Sequence, residues 1–400
     1  MQLGWIDFSS EDRQKAMDVM NLLQEQGAVD ELGIGIIRDA FANYFFPGTS
    51  TVQTRAKYFL IVPYLLKDAV DGRYGREVNR ILRRIDEEEK ECGITLMKRN
   101  PDEDGIIGKR VLPRNWVARK PSDIYWNGIR TYQIFIDNAL SIKEYVALMS
   151  KQSEKKNNMP GGNRGDDSTD GDRDDVDAGD MTSFHFWNLP SYSNDWKTDL
   201  CMDLSFEEAT FLRKQIIKSN ESSLLAFILQ NNIDVSSCDS FLTLTELLAG
   251  EVDDYTCDMM HLACDFSKLV YLARVRFNMI LSEHRNEKAN TEWDYLADNI
   301  EEFASVDLSK VFKELNISNS KTFIFLSSIK EGFLNDKIDD VDECIKKREV
   351  QLKGINRAKL NRTKEFNPDN WVGGDWLDYR FRDASRIIND IYAGEAVNHV

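Results

Sequence analysis

Three observations predict a mainly helical protein with two helical domains or lobes. Apolar residues recur every three or four positions over most of the chain. Several helix starts fit the capping box, in which a Ser or Thr is followed three positions later by Glu or Gln. The 400 residues exceed the ~250–300 at which a single core usually stops growing. The capping pairs are Ser50 with Gln53, Ser141 with Glu144, Ser205 with Glu208, and Thr243 with Glu246.

The periodic segments define the predicted helices in order along the chain, with ends placed to within a few residues. The helix at 50–70 is apolar on every side from Tyr58 onward, which predicts a buried central helix. The predicted helices cover about residues 10–26, 34–45, 50–70, 75–91, 122–136, 141–156, 205–219, 222–231, 253–284, 291–304, 318–332, 338–360 and 375–392.

Strand signals are few and lie near residues 93–120. The segments Gly93–Arg99 and Arg110–Lys120 flank an acidic turn and the sequence GIIGK, as a small winged-helix-like hairpin would. Pro113 interrupts the second segment, and Pro is confined to edge strands or bulges. The alternative is a pair of irregular connecting loops, and the sequence leaves both open.

An acidic segment at residues 151–181 divides the chain. Besides Met, Val176 is its one large apolar side chain, and Gly, Asp and Asn fill much of the rest. Such a composition buries too little apolar area to offset the entropy of ordering. We therefore expect a disordered linker between an N-terminal helical domain, 1–150, and a C-terminal one, 182–400. Its aspartates do not have the regular EF-hand spacing with a closing Glu that calcium binding would require.

Composition and charge restrict the class of protein. No run of about 18 apolar residues predicts a membrane span, and the acidic N-terminal stretch does not fit a secretory signal. Six scattered cysteines suit reduced thiols, so we expect a cytoplasmic protein without a membrane partner. The net charge of -17 argues against a surface coated in nucleic acid. Residues 51–130 nevertheless carry a net charge of +5, so a local basic patch is possible.

Sequence signatures of common enzymes are missing. The chain contains no GxxxxGK[ST], GxGxxG after a strand, GxSxG or HExxH, and only four histidines. One metal-like pattern is Cys257, His261 and Cys264, whose spacing puts all three on one helical face. The alternative is a buried stripe in which cysteine acts as a small apolar residue. We expect no cofactor and no assigned catalytic residue, and lean towards a non-enzymatic protein.

The stretch FFPGTSTVQTRAKYF, residues 45–59, places two cations at a predicted helix start, where the backbone already carries positive partial charge. One interpretation is an anion or nucleic-acid site, since a helix N-terminus with hydroxyls and a guanidinium binds phosphate well. The other is that the Arg bridges to an Asp or Glu of a neighbouring helix, with Lys57 exposed. The candidate residues are Ser50, Thr51, Gln53, Arg55 and Lys57.

Two aromatic clusters are further candidate surfaces. Trp126, Asn127 and Arg130 stand close together on a predicted helix, where they could stack on bases or read base edges. More often such residues are core aromatics beside cations whose stems are buried. The second cluster follows a Gly-Gly turn and is rich in the residue types that anchor protein interfaces. Its interface candidates are Trp376, Tyr379, Arg380 and Arg382.

Sequence blocks along the chain resemble, in order, an uncharacterised bacterial family known only as a domain of unknown function. They include LGWIDFS (residues 3–9), FFPGTSTVQTRAKYFLIVPYL (45–65), KPSDIYWNGI (120–129), FWNLP (186–190), LSFEEATFL (204–212) and DYRFRDASRIINDI (378–391). The resemblance supplies no activity or catalytic residue. It implies a role beside helicase-like and DNA-modifying proteins in bacterial anti-phage gene clusters.

Together these features predict a non-enzymatic component of an anti-phage defence or DNA-processing system that binds nucleic acid or protein partners. DNA, RNA and the protein subunits of such a complex are the expected partners. The alternative is a metal-dependent nuclease or phosphotransfer enzyme with an unrecognised site.

Overall fold

A computed structural model describes residues 30–70, 77–157 and 185–397 of the 400-residue chain. The predicted helix at 10–26, the block at 3–9 and most of the expected linker at 151–181 lie outside the described residues. In the part that is described, no helix is long and apolar enough to cross a membrane.

The described chain is built from α-helices joined by turns, in the following order. They are α1 (Gly35–Phe45), α2 (Tyr58–Val70), α3 (Val78–Arg99), α4 (Pro121–Thr131), α5 (Ile142–Asn157), α6 (Phe206–Ser219), α7 (Leu224–Gln230), α8 (Phe241–Leu247), α9 (Asp254–Leu281), α10 (Glu287–Ala297), α11 (Ile300–Phe303), α12 (Leu308–Glu314), α13 (Ser320–Leu334), α14 (Ile338–Lys353) and α15 (Phe381–Ala396). Two short 3₁₀ turns, Lys359–Asn361 and Thr363–Glu365, lie between α14 and α15.

The predicted mainly α fold is confirmed. The described residues contain no strand, and their one β contact is an isolated antiparallel bridge between Phe135 and Trp187. The first half of the proposed hairpin near 93–120 is wrong, because Gly93–Arg99 is the last part of α3. Ile85, Cys92 and Leu96 are buried at helical spacing there and continue the face that packs inward. Residues 101–114 form turns instead.

Capping at helix starts agrees with the prediction at two of the four places. The boxes at Ser141 and Ser205 are present, with the backbone N–H of each Ser donating to the Glu three positions later. The third box lies three residues earlier than predicted. Ser240 caps α8 and accepts from the backbone N–H of Thr243 at 3.2 Å.

The helix predicted at 50–70 begins at Tyr58 instead, so Ser50 is not its N-cap. Gln53 does accept from the backbone N–H of Ser50, at 3.1 Å, as predicted. Residues further along are held by tertiary contacts: the hydroxyl of Tyr125 accepts from two backbone N–H groups and a carboxylate from α15 accepts from a third. These acceptors satisfy N–H groups that a helical cap would otherwise serve, so the chain stays irregular until Tyr58.

The chain forms two compact units, and each is interleaved in sequence. Among the described residues, unit 1 contains 30–46 and 234–382. Unit 2 contains the described residues 47–70, 77–157, 185–233 and 383–397, so the N-terminal helices from α2 to α5 group with segments that follow residue 185. The expected boundary at 151–181 stays a prediction, because most of that segment lies outside the described residues.

Each unit has a helix buried on nearly all sides as its centre. In unit 1 this is α9, whose residues from Met259 to Met279 are mostly buried. In unit 2 it is α2, in which every residue except Lys67 is buried, as the apolar sequence predicted. Helices α3 and α4 pack against α2 and position the residues that follow.

Candidate functional site

Arg55 in unit 2 contacts carboxylates of the protein itself. Its Nε donates to both oxygens of Asp390 on α15, at 3.0 Å each. One Nη donates to Glu103, and the other lies 3.5 Å from the exposed Asp203. The Arg55 side chain is 18% exposed, and those of Asp390 and Glu103 are 14% and 16% exposed. The guanidinium therefore lies in a largely buried, acid-lined site.

The electrostatics agree with this pairing. Burial alone disfavours a charged guanidinium, but the hydrogen bonds and charges of Asp390 and Glu103 more than offset it. The pKa of Arg55 consequently lies above its ordinary value. An external phosphate at this position would have to compete with carboxylates that are already bound.

Lys57 is used in a similar way. It is buried, and its Nζ donates to Glu208 at 2.5 Å and to the backbone carbonyl of Asp203 at 3.3 Å. Glu208 also caps α6 by accepting from the backbone N–H of Ser205 at 2.9 Å. Protein carboxylates therefore compensate both cations of the 45–59 stretch. For Arg55 this arrangement corresponds to the second interpretation drawn from the sequence, whereas Lys57 is buried and not exposed as that interpretation expected.

Of the candidate polar residues that precede Arg55, two have buried polar side-chain atoms and one is exposed to solvent. Gln53 is buried, and its side-chain amide donates to the carbonyl of Gly48 at 3.1 Å. The hydroxyl of Ser50 is buried without a hydrogen-bond partner among the described residues. Thr51 is exposed. These residues shape a turn, and the structure does not bring their hydroxyls together with a free cation.

The α4 candidates do not offer a stacking surface. Trp126 is 8% exposed and packs on Phe135 with ring centroids 4.7 Å apart. Arg130 is half-buried, its Nη1 donates to the carbonyl of Asn138 at 3.0 Å, and burial lowers its pKa. Asn127 alone is exposed. A base cannot stack on Trp126 while that ring fills the core of unit 2.

A basic surface that the sequence reasoning missed lies on the turns after α3. Residues 105–120 contain five cations and no acidic residue. Arg110, Arg114 and Arg119 are exposed and form no ion pair with any described residue. The sequence carries this signal as an acid-free run within residues 51–130, the region with a net charge of +5. We call residues 105–120 the basic turn.

The basic turn is fixed against α3. The indole Nε1 of Trp116 donates to Asp86 at 3.0 Å, and the Nζ of Lys120 lies 2.9 Å from the same carboxylate. Gly108 has a φ of +82° and lies so close to Trp116 that a Cβ would meet the ring at 2.8 Å. These contacts hold the backbone that carries the exposed arginines.

The C-terminal interface candidates of unit 1 separate into exposed and buried residues. Trp376 is 44% exposed, as an interface residue would be. Tyr379 is buried and its hydroxyl donates to the carbonyl of Ala263 at 2.6 Å, so it belongs to the core. Arg380 Nη1 donates a hydrogen bond to the side-chain oxygen of Asn43 at 2.8 Å. Arg382 Nε donates to the backbone carbonyl of Asp239 at 3.2 Å.

The metal-like pattern on α9 does not converge. His261 is exposed, whereas Cys257 and Cys264 are half-buried, and the Cys264 sulfur lies 3.5 Å from the hydroxyl of Thr245. Among the residues that the structure describes, no group of three or more His, Cys, Asp or Glu side chains is arranged to hold a metal ion.

Comparison with known proteins found a family match for the first part of the chain. Searches of curated proteins and of solved structures each found no match. Residues 1–153 match the sequence model of a family of unknown function, DUF6361, which agrees with the expected resemblance to a domain of unknown function.

Proposed function

We propose that the protein is a non-enzymatic, nucleic-acid-binding component of a bacterial anti-phage or DNA-processing system, and that it contacts phosphates through the basic turn. The observation that supports this proposal is the exposure of Arg110, Arg114 and Arg119 without ion-pair partners among the described residues. Nucleic-acid affinity depends on clustered Lys and Arg that can replace condensed counterions. The assignment to defence or DNA processing is supported by the family resemblance alone.

The net charge of -17 limits this binding without preventing it. A field of that sign repels polyanions at long range, and salt screens it over a Debye length of about 8 Å at physiological ionic strength. The basic turn acts at contact distance, where its local charge dominates. We therefore expect a short footprint of a few phosphates and weak, strongly salt-dependent binding that favours no particular base sequence.

The experiment is fluorescence anisotropy with labelled single-stranded DNA, duplex DNA and single-stranded RNA over a range of salt concentrations. The test variant is Arg110→Ala/Arg114→Ala/Arg119→Ala. Each lost phosphate contact reduces the slope of log K against log salt by about 0.7 on single strands and about 0.9 on duplex DNA. The triple variant should therefore lower the slope by about 2 to 3.

A matched control removes three cations elsewhere. Lys313, Lys321 and Lys347 are exposed, form no ion pair with described residues, and lie in unit 1. The variant Lys313→Ala/Lys321→Ala/Lys347→Ala has the same net charge as the test variant. If both variants bind equally well, the basic turn is not the contact surface. If the wild type binds none of the three probes at low salt, the proposed function is wrong.

The metal-dependent nuclease or phosphotransfer alternative has no specific observation in its favour among the described residues. Incubation of the purified protein with plasmid and Mg²⁺ or Mn²⁺ tests it directly. Cleavage that survives the basic-turn variant would favour a separate catalytic site over the binding function proposed above.

A further inference from the structure

Four contacting aromatic rings in unit 1 form a run from the buried Tyr271 to the exposed Tyr295. Trp376 stacks on Tyr271 with ring centroids 4.5 Å apart and an interplanar angle of 18°, and it contacts Phe303 at 5.8 Å. Phe303 in turn contacts Tyr295 at 6.2 Å. Trp376 is 44% exposed and Tyr295 is 62% exposed, whereas Phe303 and Tyr271 are buried. We call these four residues the aromatic run.

Two exposed aromatic residues supported by buried rings are typical of an interface anchor. Each exposed ring is held in place before any partner arrives, so binding would cost little side-chain entropy. Trp and Tyr are also the residue types most enriched among interface hot spots. The aromatic run therefore offers a preorganised contact surface in unit 1.

The charges around the aromatic run are strongly negative. Residues 286–307, which supply Tyr295 and Phe303, contain seven acidic residues and one lysine. Exposed acids in this segment are Glu287, Asp294, Asp298, Glu301, Glu302 and Asp307. Burial, followed by the charges of Glu292 and Asp375, raises the pKa of Tyr271, so carboxylates also lie beside the inner end of the run.

One lysine of the protein itself, Lys288, is held between an aromatic ring and a carboxylate. The Nζ of Lys288 lies 4.3 Å from the ring centroid of Trp371 and donates to Asp375 at 2.9 Å. An ammonium placed between an indole face and a carboxylate gains both cation–π and ionic attraction. No described cation occupies the equivalent position over Trp376 or Tyr295.

We infer that this acidic and aromatic surface of unit 1 is a docking site for a Lys- and Arg-rich segment of a protein partner. Cationic side chains would lie over the rings of Trp376 and Tyr295, and their charges would be neutralised by Glu301 and Asp298. A nucleic acid is repelled by the same carboxylates. The site is separate from the basic turn of unit 2 and does not depend on the function proposed for it.

The experiment measures binding of a fluorescently labelled Lys- and Arg-rich peptide to the full chain by anisotropy. A peptide with every cation replaced by Glu serves as the probe control. Trp376→Leu/Tyr295→Ala removes both exposed rings without changing net charge and should weaken binding about tenfold or more. If the double variant folds poorly, Tyr295→Ala alone tests the same prediction, and it should also weaken binding of the peptide. Tyr295 is the more exposed of the two rings, so its removal should disturb the fold less.

Charge variants separate this site from general attraction between an acidic protein and a polycation. Asp298→Asn/Glu301→Gln should weaken binding several-fold, while Asp339→Asn/Asp340→Asn on exposed positions of α14 should leave it unchanged. Equal binding by wild type and by the variants lacking the rings would overturn the inference. So would equal binding of the Glu-substituted peptide.

A second copy of this chain is the competing occupant. Light scattering coupled to size exclusion would detect it as an oligomer that Trp376→Leu/Tyr295→Ala dissociates. That result, combined with no binding of the basic peptide, would overturn the inference in favour of self-association.

Discussion

Arg55 donates through its Nε to both oxygens of Asp390, at 3.0 Å each, although the two residues are 335 positions apart. Asp390 also accepts from the backbone N–H of Ala56 at 2.7 Å. One carboxylate of α15 thus neutralises the guanidinium and satisfies the backbone at the approach to α2. The pair connects the two sequence segments that make up unit 2.

Removal of Arg55 should destabilise the protein. Arg55→Ala leaves Asp390 and Glu103 as largely buried carboxylates without their main partner, which should lower the free energy of unfolding by about 2–4 kcal/mol. Urea denaturation followed by circular dichroism measures the change. Arg110→Ala, which removes an exposed arginine, should stay within about 0.5 kcal/mol of wild type.

The Arg55 and Asp390 effects should not add. Arg55→Ala combined with Asp390→Ala is expected to show a coupling free energy of about 1–3 kcal/mol, since each single change already breaks the same contact. Additive effects in the double variant would show that the pair contributes little to stability.

A second prediction concerns Glu89 on α3, whose carboxylate contacts the first turn of α4. It accepts from the backbone N–H of Ser122 at 2.6 Å and from its hydroxyl at 3.2 Å. Burial raises the pKa of Glu89 to about 8, and the Ser122 hydrogen bonds offset only part of that effect. The folded state therefore retains a proton that the unfolded chain releases near its ordinary value of 4.5.

Because the folded pKa is the higher one, the contribution of Glu89 to stability is fully present below about pH 4.5 and is lost as the pH rises to about 8. Glu89→Gln keeps the shape and the acceptor without the charge. It should remove this pH dependence and raise the free energy of unfolding above pH 8 by roughly 2–4 kcal/mol. Urea titrations at several pH values measure this, with the exposed Glu87→Gln as control. Parallel pH profiles for Glu89→Gln and wild type would contradict the prediction.

A third prediction concerns the close approach of α4 to the turn before α2. A Cβ at Gly128 would lie 2.4 Å from the carbonyl oxygen of Gly48 and 2.7 Å from the ring of Phe59. The backbone oxygen cannot move away cheaply, so Gly128→Ala should destabilise by about 1–3 kcal/mol despite the better helix propensity of Ala. Gly35→Ala in α1 is the matched control, since the nearest atom there is 3.7 Å away. A melting temperature for Gly128→Ala equal to or above wild type would contradict this packing.

A fourth prediction orders two thiols by reactivity. Burial raises the pKa of Cys92 to about 12, which leaves almost no thiolate at neutral pH. Cys201 is exposed. A maleimide reagent followed by mass spectrometry should modify Cys201 in the folded protein and Cys92 only after addition of denaturant. Modification of both thiols at the same rate under native conditions would show that α3 opens readily.

The helical fold was predictable because it depends on spacing that is visible locally. The apolar residues from Tyr58 onward predicted a buried helix, and α2 is that helix. Ser141 and Ser205 fixed two helix starts through side chains three residues away. The strand expected at Gly93–Arg99 was wrong, because this segment is the last part of α3. Its buried residues follow the helical spacing of that helix, and this spacing is recognisable only when the segment is read together with the residues before it.

The candidate site depended on partners that are distant in sequence. The sequence placed Arg55 and Lys57 at a helix entry and left a carboxylate or a phosphate as the partner of Arg55, because a cation near a helix start is disfavoured without an anion. Only the tertiary structure decided that Asp390, Glu103 and Glu208 supply those carboxylates, since chain folding brings them from 48 to 335 positions away. It also left the arginines of residues 105–120 exposed, because no described acid folds against them.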